Sequence, residues 1–353
     1  MQNSASLPAG PTLRRMPSGA AKPAFFMCVA LGILLLCLTG LKQGATESSW
    51  QDILDALLLS GRNPDLEYFV LHLRLPKVLA ALAVGAVLAF NGVILQNVLN
   101  NPLASSFTLG LSQGAAFGAS FSMIAFPPAA FQLGISLVAL GAFGGSLSAA
   151  LLILAFTMMR GITAQGLILA GIALSTLFGA ATMSLQYFAT DSQVAATVFW
   201  TFGDLSKGSW KEAMLVLAAL AAGLLFALRH SMDYDALRWG DAQASALGVN
   251  VKRLRASSLL AASLMTAFAT AFYGVIGFVG LVAPHMVRLL FPHAGHFFLL
   301  CASAVFGAFF LLAADIIAQT LFFPVLLPIG IVCAFTGVPV FLFLLFKRSA
   351  GDA

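Results

Sequence analysis

Ten apolar runs, each close to the length that crosses a bilayer, dominate this sequence. They lie near residues 25–41, 74–96, 108–126, 132–158, 164–188, 212–229, 255–273, 277–290, 296–320 and 329–347. A spanning helix needs about 20 predominantly apolar residues, and bilayer-spanning backbone must satisfy its polar groups internally. The eighth run is short and holds Pro284, so it is not expected to cross as a straight rod. Of the 353 residues, 60% are hydrophobic and 9% charged, whereas soluble domains are about 25% charged. The expected class is therefore an all-α polytopic membrane protein. Composition argues against a soluble enzyme, a disordered chain or a nucleic-acid-binding module. The net charge of +5 does not alter this, because the basic residues are scattered in short connectors.

The domain division follows the runs. Residues 1–23 read as a cytoplasmic tail rich in proline with Arg14, Arg15 and Lys22, residues 24–348 as the transmembrane domain, and 349–353 as a second short tail. A basic stretch before an apolar core resembles a secretory signal, yet no clear small-x-small cleavage site follows, so the first run reads as an uncleaved span. Ten spans place both termini on one side. The termini side carries twelve Lys/Arg (Arg14, Arg15, Lys22, Arg160, Arg229, Arg238, Lys252, Arg253, Arg255, Arg288, Lys347, Arg348) against six opposite (Lys42, Arg62, Arg74, Lys77, Lys207, Lys211). The positive-inside rule then puts both termini in the cytoplasm.

Three connectors stand out. The outer segment 42–73 is acidic and suits a short amphipathic helix, and 193–205 is too short and polar to span and suits the interface. The inner loop 230–254 contains Asp233–Asp241, and Ala242–Val249 reads as a short helix ended by Gly248. A structured helix there offers a docking surface.

Several chemical readings weaken on inspection. Gly110, Gly114 and Gly118 share one spacing, repeated by Gly141 and Gly145, which suits close helix packing. Asp315 is the single carboxylate well inside a span, so an ion gradient is poorly supported as the energy source. The chain has no Gly-Lys dipeptide and so lacks a P-loop of its own. His285, His293 and His296 lack metalloprotease spacing, and Cys28, Cys37, Cys301 and Cys333 read as small buried apolar residues inside the runs. No catalytic constellation and no metal site are expected.

An ordered set of strings carries a resemblance. It comprises Leu73–Leu79, Gly85-Ala86, Gln96, Asn100–Ala104, Leu169–Leu174, Ala246–Val249, Ile276–His285, Ala314-Asp315, Leu327–Gly330 and Gly337–Pro339. Over about residues 70–347 the chain closely resembles FecCD/BtuC-like permease subunits of ABC importers for iron-siderophores, haem and vitamin B12. The resemblance implies a ten-helix protomer in the bacterial inner membrane, paired with a second permease subunit as a homodimer or a heterodimer. Two cytoplasmic ATPase subunits, binding ATP and magnesium, would drive alternating access, and a periplasmic binding protein would deliver the chelate; the chain itself would be no enzyme. ATPase coupling would fall to Asp235, Gly240, Asp241, Ala244, Leu247, Gly248 and Val249, and binding-protein docking to Arg74 and Lys77. The cytoplasmic gate would involve Asn101, Leu103, Ala164 and Gln165. Lys77 replaces a usual arginine, and Gln319 and Leu326 replace common charged residues, which implies differently spread docking charges. A metal chelate, foremost an iron-siderophore, is the expected cargo, and a gradient-driven secondary transporter is the alternative.

Overall fold

The computed structural model describes residues 20–43, 48–59, 61–126, 136–159 and 163–349, with side chains to 343. The N-terminal tail to residue 19, Arg160 and residues 350–353 lie outside this set. The described residues form α1 (Ala21–Lys42), α2 (Trp50–Leu57), α3 (Pro64–Phe69), a π-helical turn (Val70–Arg74) and α4 (Leu75–Val98). Then come α5 (Leu111–Ala125), α6 (Leu137–Met158), α7 (Ala164–Tyr187), α8 (Asp191–Thr201), α9 (Trp210–Arg229), α10 (Ser231–Leu237) and α11 (Asp241–Ala246). The chain finishes with α12 (Val251–Tyr273), α13 (Val279–Leu290), α14 (His296–Thr320) and α15 (Ile329–Ser349). Every one of the ten apolar runs forms a helix. Among the described residues, seven segments are long and apolar enough to cross a membrane: α1, the continuous Pro64–Val98 segment, α6, α7, α9, α12 and α14.

Two boundaries differ from expectation. The second span begins at Pro64, not near 74, because Asn63 caps Leu66 N–H, Pro64 occupies the first turn, and the π-turn carries the helix on into α4. The inner loop is likewise shorter, since Asn250 caps Arg253 N–H and α12 starts at Val251. Lys252 and Arg253 therefore belong to a helix. The segment 193–205 overlaps the 11-residue α8, and the amphipathic outer helix matches α2, whose Ser49 and Asp52 form a capping box.

Helix α4 is the axis of the bundle and packs against α14, α12, α13 and α9. Lipid tails are as apolar as leucine, so helix association here depends on close van der Waals packing and buried hydrogen bonds. Gly92 lets α4 lie directly on α13: a Cβ there would overlap the Gly280 carbonyl. Pro284 has no N–H for the Gly280 carbonyl, and Gln96 Nε2 donates to that oxygen at 3.2 Å instead. Helix α13 nevertheless runs unbroken through Pro284, which removes one hydrogen bond that α4 supplies. α13 has only 12 residues and spans about 18 Å. Gly114 and Gly118 meet Gly145 and Gly141 across α5 and α6 as the spacing suggests. Gly110 does not join them: it precedes α5 with φ +80° and lies against Gly171 of α7. Of the four cysteines expected to be buried, Cys333 is, Cys37 and Cys301 are half-buried, and Cys28 is exposed, since it lies on an outward face of α1.

Gly92→Val should overpack the α4–α13 contact and destabilise the fold by about 2 kcal/mol. Gly144→Ala, where a Cβ meets open space, should leave the melting temperature in detergent unchanged or slightly raised. Equal melting temperatures for the two variants would contradict the packing account.

Candidate functional site

The expected site residues fall at opposite ends of the bundle, called outer and inner after the charge distribution. At the outer end, Lys77 in the first turn of α4 forms an ion pair with Asp315 of α14, Nζ to Oδ1 at 3.2 Å. Gln319 Nε2 donates to the other carboxylate oxygen at 2.6 Å. Asp315 is 4% exposed, so the carboxylate that stood alone in the sequence is a partner in a buried cluster. Arg74 donates through Nη1 to the carbonyl of Leu41 at 2.7 Å and to Ser48 Oγ at 3.3 Å, tying the end of α1 to the α4 segment. Lys77, Asp315 and Gln319 line a cleft of about 280 Å³ with Asp204, Lys207 and Leu326. Burial pushes the Lys207 ammonium below the usual lysine range, with Asp204 opposing the shift.

At the inner end the loop 230–254 is a rigid structure. Tyr234 is fully buried, bonds Ser258 of α12 through its hydroxyl at 2.7 Å, and accepts at its carbonyl from Asn97 of α4 at 3.2 Å. Desolvation pushes its phenol up to about 12, so it stays protonated. Asp235 accepts from the His296 N–H at 2.9 Å, satisfying an amide at the start of α14. Arg238 donates to the Ala294 carbonyl at 2.8 Å. Gly240, with φ +104°, opens α11, and Gly248, with φ +88°, closes it while Val249 N–H reaches the Ala244 carbonyl. Ala244 is buried beneath the helix, whereas Leu247 is 72% and Trp239 77% exposed. Six of the seven expected coupling residues thus sit on or next to α11, and Asp235 lies on α10. Their anchors, Tyr234 and Arg255, were not singled out from the sequence; a tyrosine and an arginine beside a helix end reveal partners only in three dimensions. Trp239 could have been found as a large aromatic in a polar connector.

Asn101 and Leu103 occupy the turn after α4. Asn101 N–H donates to the Gln96 carbonyl, and Asn101 Oδ1 accepts from Leu103 N–H at 2.8 Å. Thr163 caps Gly166 N–H and thereby orients Ala164 and Gln165 at the start of α7. A cleft of about 550 Å³ beside this turn is lined by Met159, Leu167, Asp241, Ser245 and Arg255, so it joins the α6–α7 connection to the inner loop. Among the described residues, no group of three or more His, Cys, Asp or Glu could hold a metal ion.

The outer ion pair makes a quantitative expectation. Lys77→Met alone leaves Asp315 buried without its cation and should cost about 3–5 kcal/mol, whereas adding Asp315→Leu should recover most of it. Thermal unfolding of the two variants in detergent checks this, and a double variant no better than the single one contradicts it.

The model of the FecCD transport family matches residues 32–347. A Helicobacter pylori protein classed as an iron chelatin transport system permease is 35% identical over 91% of this chain and 96% of its own. The hemin transport system permease HmuU of Yersinia pestis is also 35% identical, over 90% and 95%. A solved transporter classed as metal-chelate type, in an inward-facing conformation, superposes with a TM-score of 0.79 at 28% identity, covering 92% of this chain and 99% of that one. The chain therefore belongs to the FecCD transport family.

Proposed function

We propose that this chain is the membrane-spanning subunit of an ATP-binding-cassette importer that carries a metal chelate, foremost an iron-siderophore, from periplasm to cytoplasm. The observation that carries this reading is the inner helix α11. It is flanked in sequence by the exposed Trp239 and Leu247, while residues of the preceding α10 bond to α4, α12 and α14. A surface that is apolar outside and anchored inside suits a partner that must move the bundle. Two cytoplasmic ATPase subunits fit that role, since the chain has no P-loop. ATP and magnesium would be bound by those subunits.

The protein would reside in the inner membrane with both termini cytoplasmic, paired with a second permease subunit. A periplasmic binding protein would dock over Arg74, Lys77 and the adjoining cleft, where charge steers approach more than it adds affinity. Asn101, Leu103, Ala164 and Gln165 would narrow the cytoplasmic exit. The gradient-driven alternative is disfavoured by the ion pair at Asp315, which engages the carboxylate a proton or sodium relay would use.

Proteoliposomes holding the chain with its ATPase and binding protein should take up a labelled ferric hydroxamate or ferric catecholate when supplied with ATP. Uptake should stop with vanadate and persist with a protonophore. Preferential uptake of haemin or cyanocobalamin would move the cargo within the same mechanism. Uptake abolished by the protonophore and indifferent to vanadate would overturn the mechanism itself.

Trp239→Ala should weaken association with the ATPase subunit by about 2 kcal/mol, or roughly 30-fold in Kd, as removal of an exposed aromatic anchor does. Binding of the purified ATPase subunit to the solubilised permease measures it. Unchanged affinity would remove Trp239 from the contact.

A further inference from the structure

Arg255 stands where three elements meet. Its guanidinium makes a two-pronged contact through Nη2 with both carboxylate oxygens of Asp241, the first residue of α11, each at 3.0 Å. Its Nε donates at 2.9 Å to the carbonyl of Val98, the last residue of α4. Arg255 is 9% exposed, while the Asp241 side chain is 57% exposed. The Val98 carbonyl belongs to a helix C-terminus, where intrahelical partners run out and a cation is favoured. Two residues beyond it, Asn100 adopts φ +44° and the chain turns through Asn101 and Leu103. One turn earlier on α12, Lys252 donates at 2.9 Å to the carbonyl of Met158, the last residue of α6. That helix leads to the Ala164–Gln165 connection. Two cations on one face of α12 thus each hold the end of a helix that precedes a proposed constriction.

We propose that Arg255 is a positioning residue that links displacement of α11 to the turn after α4, so that the Asn101–Leu103 turn moves with the inner helix. The proposal rests on the ATP-driven permease reading. Charge-assisted bonds from a planar guanidinium hold both distance and angle, so Asp241 cannot shift far without pulling Arg255 or breaking the contact. Breaking it would leave a buried guanidinium with the Val98 carbonyl alone, which favours the concerted movement. The neighbouring Tyr234–Asn97 bond also ties the inner loop to α4, but through a backbone carbonyl of α10 rather than through α11.

The test uses the full complex of permease and ATPase subunits in inside-out vesicles. Leu103, which is exposed, is replaced by cysteine, and its rate of labelling by a membrane-impermeant maleimide is read with and without ATP–vanadate trapping. The chain lacking L103C serves as the blank for the native cysteines. Rates are compared only in complexes whose trapped nucleotide has been quantified. The parent should change its labelling rate by about fivefold or more on trapping, the range of ordinary allosteric coupling. Arg255→Gln should lose most of that response. Asp241→Asn, which alters an exposed side chain and leaves the Arg255–Val98 bond in place, should lose it as well. Arg255→Lys, keeping charge without the planar fork, should fall between.

A full response in trapped D241N and R255Q complexes would overturn the relay while leaving the permease reading intact. Failure of both variants to trap nucleotide would assign the pair to seating the ATPase and also overturn the relay. No response in the parent itself would instead strike the ATP-driven reading, and the relay would fall with it.

Discussion

The structure depends on how closely α4 can approach its neighbours. In a soluble core, expulsion of water would press helices together whatever their detailed shape, but between helices surrounded by lipid that force is absent. Contact then depends on dispersion, which fades within an ångström of ideal separation. The missing side chains at Gly85 and Gly92 bring the backbone of α4 onto Gly307 and Gly280. The same device joins α5 to α6. Large apolar residues are left to face outward, as the exposed Leu31, Leu34 and Leu35 of α1 show.

Close packing also makes the buried polar groups effective. Asn91 bonds the Ala262 carbonyl and Thr266 at 3.0 Å, and Thr266 in turn meets Ser106 at 2.7 Å, so α4, α12 and the segment before α5 share one network. Arg288 reaches Gln96, whose amide already satisfies the carbonyl that Pro284 leaves open. Such groups in a low-dielectric interior fix register, because a shift of one residue would strand them. The inner loop ends on this same framework. That continuity makes it a suitable point of entry for mechanical work, while the outer end is braced separately by Lys77 and Asp315.

Much of the fold was legible in the linear sequence because its determinants are local. Length and hydropathy marked the runs, Pro284 marked the missing hydrogen bond within α13, and Gly248 marked the end of α11. The continuation of α4 back to Pro64 was hidden because a π-turn has no sequence signature, and polar residues there suggested a loop. Gly110 shared the spacing of its neighbours but served a backbone turn, which spacing cannot reveal. The site was legible in outline only. The short helix α11 was legible from its own string, whereas the partners of Arg255, at the start of the next apolar run, lie 14 and 157 residues away and left no local mark. Lys77 and Asp315 were each noticed, yet their pairing required the third dimension.

The outer ion pair also bears on how the protein experiences voltage. A single elementary charge carried across a membrane potential involves about 2.3 kcal/mol per 100 mV, enough to bias any rearrangement in which it moves. Lys77 and Asp315 sit within 3.2 Å of each other on two helices braced together, and they form a unit of zero net charge. Movement of that unit through the field involves almost no electrical work.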